Sequence, residues 1–448
     1  MPNRPHLFGY ALKPGDYRQP WRIFRIMSEF VEGFDFLSSL KNEITIMGSA
    51  RLKEGTEYYE TARKLGSLLA KNGLTVITGG GPGIMEAGNR GAHEAKGQSI
   101  GLNIQLPFEQ TLNPYVTKTM SFYYFFTRKV MLTSPANAFV YFPGGFGTFD
   151  EFFEVVDSVE LGFILPTPIV LVGKKFWQPL VDFLQAKADK TGEYSETIKQ
   201  WHIVDTAEEA AEILKDTKDR NDVCMLDPVT FRCEGNIDWK IFRIMAELVE
   251  GFEFVSGLKQ AVTILGTKSI PAESPYYDMA RTLGAELAKQ KYTVITGGNK
   301  GVAEAANQGA FEHGGESIGV GMAVHGKTTL NNYLTKSIHF SFPFTRKLIL
   351  TTPTNAFIFF PGGFGTLHQL FEVLTLIQTK KMTKVPVILV DHEYWGPMHD
   401  YIKTTLVHDV DTIADQDDEL YQIVDTAESA LKVLAETLKK DVNAGAQG

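Results

Sequence analysis

The feature that most constrains this chain is an internal repeat that keeps one register. WRIFRIM begins at Trp21 and returns as WKIFRIM at Trp239, which is 218 residues later (239 − 21). PGGFGT begins at Pro143 and returns at Pro361, again 218 residues later (361 − 143). A repeat that holds its register over such a length predicts a tandem duplication of one domain.

The repeat divides the 448 residues, a length that suits two domains, into five segments. We expect an N-terminal extension (1–20), a first domain (21–217), a linker (218–238), a second domain (239–440) and a disordered tail (441–448).

Short apolar segments alternate with segments of helical periodicity in each copy. In the first copy we predict strands at 43–47, 74–78, 99–102, 138–142 and 168–172, separated mostly by helices. This alternation predicts an α/β fold: two tandem Rossmann-like domains, each a doubly wound, mainly parallel sheet flanked by helices. Ligands of such sheets bind at the carboxyl ends of the strands.

Composition excludes several classes of protein. The formal net charge of −9 disfavours a wide nucleic-acid footprint, and the sequence has neither a signal-peptide pattern nor an apolar run that could span a membrane. The two cysteines, Cys224 and Cys233, both lie between the copies, so neither a disulfide framework nor a CxxC metal site is expected. We therefore predict a cytoplasmic protein with no metal, no cofactor, and no nucleic-acid or membrane partner.

Two glycine-rich turns follow predicted strands and open predicted helices. They are TGGGPG at 78–83 and PGGFGT at 143–148. Such turns present unpaired N–H groups at a helix N-terminus, where an anion is stabilised, and glycine allows a phosphate to approach the backbone. Neither turn has GxGxxG spacing or a GK[ST] sequence, so a phosphorylated ligand is favoured over a dinucleotide or a P-loop nucleotide.

The order of the motifs is more specific than any one of them. GSAR at 48–51, GGGPGIMEAGNRGA at 79–92, YFFTRK at 124–129 and PGGFGTFDE at 143–151 closely resemble the LOG (Lonely Guy) family, nucleoside 5′-monophosphate phosphoribohydrolases also called lysine decarboxylase-like proteins. The resemblance implies hydrolysis of the N-glycosidic bond of a nucleotide such as AMP or a cytokinin riboside monophosphate, which releases the free base and ribose 5-phosphate. It also implies that Arg128 and Glu151 are catalytic.

These residue types suit that reaction. Cleavage of a glycosidic bond builds positive charge on the sugar, which a carboxylate such as Glu151 stabilises. Arg128 either binds phosphate or assists the leaving base, and the sequence leaves both roles open. The expected substrate-binding residues lie in or beside the glycine-rich motifs: Gly48, Ser49, Gly80, Gly81, Gly83, Glu86, Lys129, Gly144, Gly145, Gly147 and Thr148.

Each assignment has an ordinary structural alternative. Glu151 could be a solvated residue on a helix face, and Arg128 an ion-pair partner at an interface. Glu86 and Arg90 lie four residues apart and could simply pair with each other. The aromatic run at 122–126 is more typical of a core or an interface than of a base-stacking cage.

The second copy departs from the first at the residues that carry the chemistry. Gln369 stands where Glu151 stands in the first copy, and Asn299 and Lys300 replace Gly81 and Pro82. Glutamine cannot carry the negative charge, so we predict a pseudoenzyme half. A second nucleotide site remains an expectation because the phosphate-binding elements persist: Arg346, Gly362, Gly363, Gly365 and Thr366.

Two other functional classes compete with a nucleotide N-glycosidase. A non-catalytic nucleotide sensor is the main alternative, supported by the degenerate second copy. A PLP-dependent decarboxylase needs a Schiff-base lysine in a suitable setting, which the sequence does not offer. Because domains of this family commonly pair, we expect the two copies to pair within the chain, and a further homo-oligomer is left open.

Overall fold

The computed structural model describes residues 20–106, 112–191, 195–217, 237–258, 260–324 and 326–445. Each repeat is an alternation of strands and helices. The first repeat contains, in chain order, α1 Pro20–Leu37, β1 Glu43–Met47, α2 Glu57–Lys71, β2 Thr75–Thr78, α3 Ile84–Glu94, β3 Ser99–Ile104, β4 Lys118–Phe122, α4 Phe125–Thr133, β5 Ala138–Tyr141, α5 Phe146–Glu160, β6 Ile169–Val172, α6 Lys174–Thr191, α7 Ser195–Lys199, β7 Trp201–Val204 and α8 Ala207–Leu214.

The second repeat has the same plan with one change near its end. A π-helix, Ile402–Asp409, continues directly from α14, and a short 3₁₀ turn, Asp417–Glu419, follows it. The other elements are α9 Ile237–Val255, β8 Ala261–Leu265, α10 Pro275–Lys289, β9 Thr293–Thr296, α11 Val302–Glu312, β10 Ser317–Met322, β11 Lys336–Phe340, α12 Pro343–Thr351, β12 Thr354–Phe359, α13 Phe364–Gln378, β13 Val387–Val390, α14 His392–Tyr401, β14 Gln422–Val424 and α15 Ala427–Gly445.

Each repeat forms one seven-stranded parallel sheet, which confirms the predicted fold class. The order is β4-β3-β2-β1-β5-β6-β7 in the first repeat and β11-β10-β9-β8-β12-β13-β14 in the second. In the first sheet the order reverses where β1 pairs with β5, with Met47 opposite Tyr141. Such a reversal opens a crevice at the carboxyl ends of the two strands, which is where open α/β sheets bind ligands.

The two repeats pack against each other through α5 and α13, the helices that follow the two PGGFGT segments. The ring of Phe371 stacks on those of Phe149, at 5.1 Å between centroids, and Phe153, at 5.5 Å. Buried apolar residues of both repeats form one continuous cluster around this contact. Burial of so much aromatic surface is the main stabilising contribution at such a contact. The predicted pairing of the repeats within the chain is therefore present in the structure.

Several predicted boundaries shift. Helix α9 begins at Ile237, inside the predicted linker, and 218–236 lie outside the described residues. Helix α15 continues to Gly445, so the first five residues of the predicted disordered tail are helical, while 446–448 lie outside the described residues. Of the predicted N-terminal extension, only Pro20 is described, as the first residue of α1. Two strands at the sheet edges, β4 and β7, were not predicted because their short segments mix polar and apolar residues.

Among the described residues, no helix is long and apolar enough to cross a bilayer.

Candidate functional site

A cavity of about 540 Å³ opens at the carboxyl ends of β1 and β5. This volume lies within the range of pockets that hold small ligands. The first repeat supplies most of its lining, which includes both predicted catalytic residues and these predicted binding residues: Gly48, Ser49, Lys129, Gly145, Gly147 and Thr148.

Arg128 and Glu151 meet inside this cavity. Arg128 lies on α4 and Glu151 on α5, and Nη1 of the arginine donates to Oε1 of the glutamate at 3.3 Å. Nε of Arg128 also donates to the carbonyl of Leu102 at 2.7 Å. A methyl group added at Gly79 would lie 2.1 Å from Nη2 of Arg128, so the guanidinium rests directly against the first glycine turn. The glycine is needed there because any side chain would displace the arginine.

Burial controls the protonation of this pair. Burial raises the pKa of Glu151 above 4.5, and the charge of Arg128 opposes that rise. Burial also lowers the pKa of Arg128 below its ordinary value, against the attraction of Glu151 and Asp150. Glu151 is therefore a carboxylate with a perturbed pKa in a concave site, a property typical of acid–base groups in enzymes. The side chain of Glu151 is only 16% exposed, which argues against the alternative of a solvated helix-face residue.

The PGGFGT loop ends in an open helix N-terminus. Helix α5 begins at Phe146 with Gly145 as its N-cap, and no side chain caps it. Leading N–H groups of an uncapped helix favour an anion. A methyl group at Gly144 would meet Oγ1 of Thr148 at 2.1 Å, so the loop can fold tightly over the threonine only with glycine at that position. Gly145 and Gly147 border the cavity, and Gly144 is not among the residues that line it.

The first glycine turn reaches the cavity through different residues than expected. Gly79, Pro82 and Met85 line the cavity. The predicted binding residues Gly80, Gly81, Gly83 and Glu86 are not among those that line it.

These residues have structural contacts instead. Gly80 and Gly83 have positive φ angles of 70° and 71° and shape the turn. Oε1 of Glu86 accepts a hydrogen bond from Tyr59 at 2.9 Å. Arg90 does not pair with Glu86; it pairs with Glu54 at 2.6 Å and Glu94 at 3.0 Å.

Lys129 lines the cavity but is committed to an ion cluster between the repeats. Its Nζ lies 3.1 Å from Asp150, 3.3 Å from Glu154 and 3.2 Å from Glu372 of the second repeat. Burial acts to lower the pKa of Lys129, but the three carboxylates outweigh it and raise that pKa well above 10.5. The ammonium group is thus charged and surrounded, which fits an interface position better than direct contact with a substrate.

The second repeat forms one wall of the cavity, which the sequence alone did not indicate. Four of its residues line the cavity: Thr375, Gln378, Thr379 and Thr412. Asp411 lies 3.4 Å from Nη1 of Arg51, a cavity residue of the first repeat. A methyl group at Gly145 would lie 2.8 Å from the carbonyl oxygen of Thr412, so the second repeat closely covers the PGGFGT loop. The only sequence signal for this wall was the expectation that the repeats pair.

The corresponding positions of the second repeat keep the backbone of the first. Gly363 caps α13 with φ −90° and ψ −157°, against −92° and −158° for Gly145. Nε of Arg346 donates to the carbonyl of Val320 at 2.8 Å, as Arg128 does to Leu102. Thr366 lies against Gly362 as Thr148 lies against Gly144. The loss of the glutamate at 369 therefore leaves the surrounding fold intact.

Fold and site together define a Rossmann-like α/β protein with an uncapped helix N-terminus and a buried arginine–glutamate pair at its switch point. A family model described as possible lysine decarboxylase matches this chain twice, at residues 85–214 and 303–434. The chain therefore belongs to this family, the LOG-type proteins, in a duplicated form. A second family model, described as DNA recombination-mediator protein A, matches residues 253–338.

Curated relatives of this chain carry enzyme names. A cytokinin riboside 5′-monophosphate phosphoribohydrolase from Rhodococcoides fascians is 31% identical over 142 residues, which are 30% of this chain and 68% of the relative. The enzyme of the same name from Oryza sativa subsp. japonica is 30% identical over 31% of this chain and 57% of its own length. Among solved structures, the molybdenum cofactor carrier protein from Chlamydomonas reinhardtii is 22% identical over 40% of this chain and 98% of its own, with a TM-score of 0.31.

Proposed function

We propose that the first repeat hydrolyses the N-glycosidic bond of a purine nucleoside 5′-monophosphate, releasing the free base and ribose 5-phosphate. The observation that carries the proposal is the buried Arg128–Glu151 pair beside the uncapped N-terminus of α5, inside one cavity. The names of the curated relatives support the same reaction class.

In this proposal each group has a step. The phosphate sits at the N-terminus of α5, bound by backbone N–H groups and the hydroxyl of Thr148. This anchors the ribose so that C1′ faces Glu151. As the bond to the base breaks, the carboxylate of Glu151 stabilises the developing oxocarbenium ion and orients the attacking water, taking up its proton.

Arg128 serves this arrangement by its charge. Its charge opposes the rise that burial causes in the pKa of Glu151, and so favours the ionised carboxylate that the reaction needs. Its remaining N–H groups face the nucleotide, where they bind phosphate or an anionic leaving base. Residue 369 is a glutamine in the second repeat, so we propose that only the first repeat catalyses the reaction.

A decarboxylase is a poorer fit to this cavity. A Schiff-base enzyme needs a lysine that is neutral and free to attack, and Lys129, which lines the cavity, is held by three carboxylates with its pKa raised. A non-catalytic nucleotide sensor would not need a buried carboxylate at the expected position of C1′. The cytoplasmic location expected from the sequence stays a prediction.

The decisive experiment incubates the purified chain with AMP and other nucleoside 5′-monophosphates and measures the released base chromatographically. We expect base release that is unaffected by EDTA, that fails with the unphosphorylated nucleoside, and that rises with pH through a midpoint above 4.5, since burial raises the pKa of Glu151. Nucleotide binding without base release would favour the sensor. Equal turnover of adenosine would contradict the phosphate anchor, and loss of turnover with EDTA would contradict a metal-free reaction.

A further inference from the structure

The two PGGFGT loops share sequence and backbone but face different residues across the contact between the repeats. Thr375 of α13 faces the first loop, and a methyl group added at Gly147 would lie 3.8 Å from Cγ2 of Thr375. Asp157 of α5 occupies the corresponding place at the second loop, 218 residues earlier (375 − 157). A methyl group added at Gly365 would lie 3.0 Å from Oδ1 of Asp157.

We infer that Asp157 keeps phosphate out of the second-repeat loop, and that the neutral Thr375 is what leaves the first-repeat loop open to it. The inference rests on the proposed function for one point only, that these loops are where phosphate binds. The chain then has one phosphate site, because the two repeats place different residues, Asp157 and Thr375, against each other's loops. It also overrides the expectation from sequence that the persistent loop and Arg346 form a second nucleotide site.

The position of the Asp157 carboxylate is fixed by its neighbours. Oδ2 lies 3.1 Å from Nζ of Lys347, and the side chain is largely buried. Lys347 also contacts Nδ1 of His368. Because Lys347 holds Oδ2, the other oxygen stays turned toward Gly365, where a phosphate oxygen would approach.

Charge and space therefore both oppose an anion at the second loop. A carboxylate and a phosphate within a few ångströms of each other in a partly buried site repel each other by several times the thermal energy, which weakens phosphate binding. Asp157 also lies near enough to Arg346 to oppose the lowering of its pKa by burial, which brings it to about 10. The arginine that would attract phosphate at this loop is thus already compensated.

Thr375 places no such charge at the first loop. Its side chain is 3% exposed and borders the cavity. Its Oγ1 makes no hydrogen bond to any residue that the structure describes. The first loop consequently faces a methyl group and a hydroxyl, neither of which repels an anion.

The test exchanges the charge between the two positions and counts sites by calorimetry with ribose 5-phosphate on the full chain. We expect one site in the wild type, two in Asp157→Asn and none in Thr375→Asp, with affinity at each altered loop changed on the order of 100-fold. Asp157→Glu and Thr375→Asn are the matched controls: they keep the charge at 157 and the neutrality at 375, and each should show one site. The combination Asp157→Asn/Thr375→Asp should again show one site, now lost on Arg346→Ala.

Two sites in the wild type, or one site in a folded Asp157→Asn protein, would overturn the inference. Melting temperature and circular dichroism report whether each variant folds. If Asp157→Asn does not fold, Thr375→Asp provides the test, because binding retained in a folded Thr375→Asp protein also overturns the inference. The outcome is separable from that of the proposed function. One site in the wild type with no base release contradicts only the proposed enzyme activity. Base release together with an unchanged number of ribose 5-phosphate sites in Asp157→Asn contradicts only the role of Asp157.

Discussion

Arg128 is held on three sides, by the carbonyl of Leu102, the carboxylate of Glu151 and the backbone of Gly79. An arginine so constrained loses little conformational entropy when it binds a ligand, which makes it effective as a fixed positive charge. Glu151 gains the same rigidity from its partner. The chemistry proposed for the first repeat depends on these two side chains keeping their relative position.

Replacing Glu151 with glutamine should remove most turnover and leave nucleotide binding largely in place. The substitution keeps size and hydrogen-bonding capacity and removes only the charge that stabilises the oxocarbenium ion. A carboxylate in this role supplies roughly 10²–10⁴ in rate. Initial rates of base release measure the loss, and Glu160→Gln, at the far end of the same helix, is the control. Turnover within a few-fold of wild type would remove Glu151 from the catalytic role.

Gly79→Ala should disable the site without unfolding the chain. The added methyl group would lie 2.1 Å from Nη2 of Arg128 and must push the guanidinium away from its place. A displacement on the order of 1 Å in such a site costs on the order of 100-fold in kcat/KM. Gly396→Ala is a matched control because a methyl group there meets no atom within 4 Å. If the two variants turn over equally, Arg128 does not need this position.

At the scale of elements, a buried ion cluster on α4, α5, α12 and α13 links the repeats. Lys129 and Lys347 each pair with a carboxylate of the opposite repeat, Glu372 and Asp157. His368 lies 3.3 Å from Asp150, and burial with two neighbouring lysines lowers its pKa well below 6.5, so it is neutral there. Removing one partner from a buried pair leaves an uncompensated charge, so the cluster specifies how the two repeats dock.

Glu154 gives this cluster a measurable pH dependence. Burial raises its pKa from 4.5 to about 7, against the attraction of Lys129. Between these two values the unfolded chain loses a proton that the folded chain keeps, so the folded state loses stability as pH rises from 4.5 to 7, by about 3 kcal/mol. Glu154→Gln should flatten the dependence of the free energy of unfolding on pH across this window. Denaturant titrations at pH 5 and pH 8 measure it, and an unchanged slope would place the Glu154 pKa near its ordinary value.

The elements that sequence predicted well are those whose signals are local. Arg128, Glu151 and Thr148 reach the cavity because their motifs follow strand ends, and strand ends of a parallel sheet meet at one edge. The ion pair of Lys129 could not be predicted because its partner Glu372 lies 243 residues away, in the other repeat. Thr375 and Thr412 were missed for the same reason: which side chains face a loop from a docked domain depends on the docking geometry, which no spacing within one repeat encodes.

At the scale of the whole molecule, the chain resembles a pair of domains whose two halves have divided their tasks. The first half carries the arginine and glutamate, and the second supplies part of the wall over them through Gln378, Thr379 and Thr412. An identical pair cannot specialise in this way, because every substitution would appear in both sites. Fusion into one chain allows Thr375 and Asp157 to differ.

This division predicts the behaviour of a chain split between the repeats. Fragments 1–227 and 228–448, expressed together, should copurify and release base. The aromatic contact between α5 and α13 and the ion pairs Lys129–Glu372 and Lys347–Asp157 hold them without the covalent link. Fragment 1–227 alone should be inactive, since it lacks the cavity wall and leaves Phe149 and Phe153 exposed. Size-exclusion chromatography and base release measure both results, and full activity of the lone fragment would contradict this division.

The lone first fragment could still pair with a copy of itself, and the pairing would not restore it. In such a homodimer Asp157 of each copy would face the PGGFGT loop of the other, which repeats at both sites the situation now found only at Gly365. The dimer would hold two intact Arg128–Glu151 pairs and yet exclude phosphate. Asp157→Thr, which copies Thr375, should therefore convert an inactive homodimer of the first fragment into an active one. If the homodimer stays inactive after the substitution, the second repeat contributes more to the site than an uncharged wall.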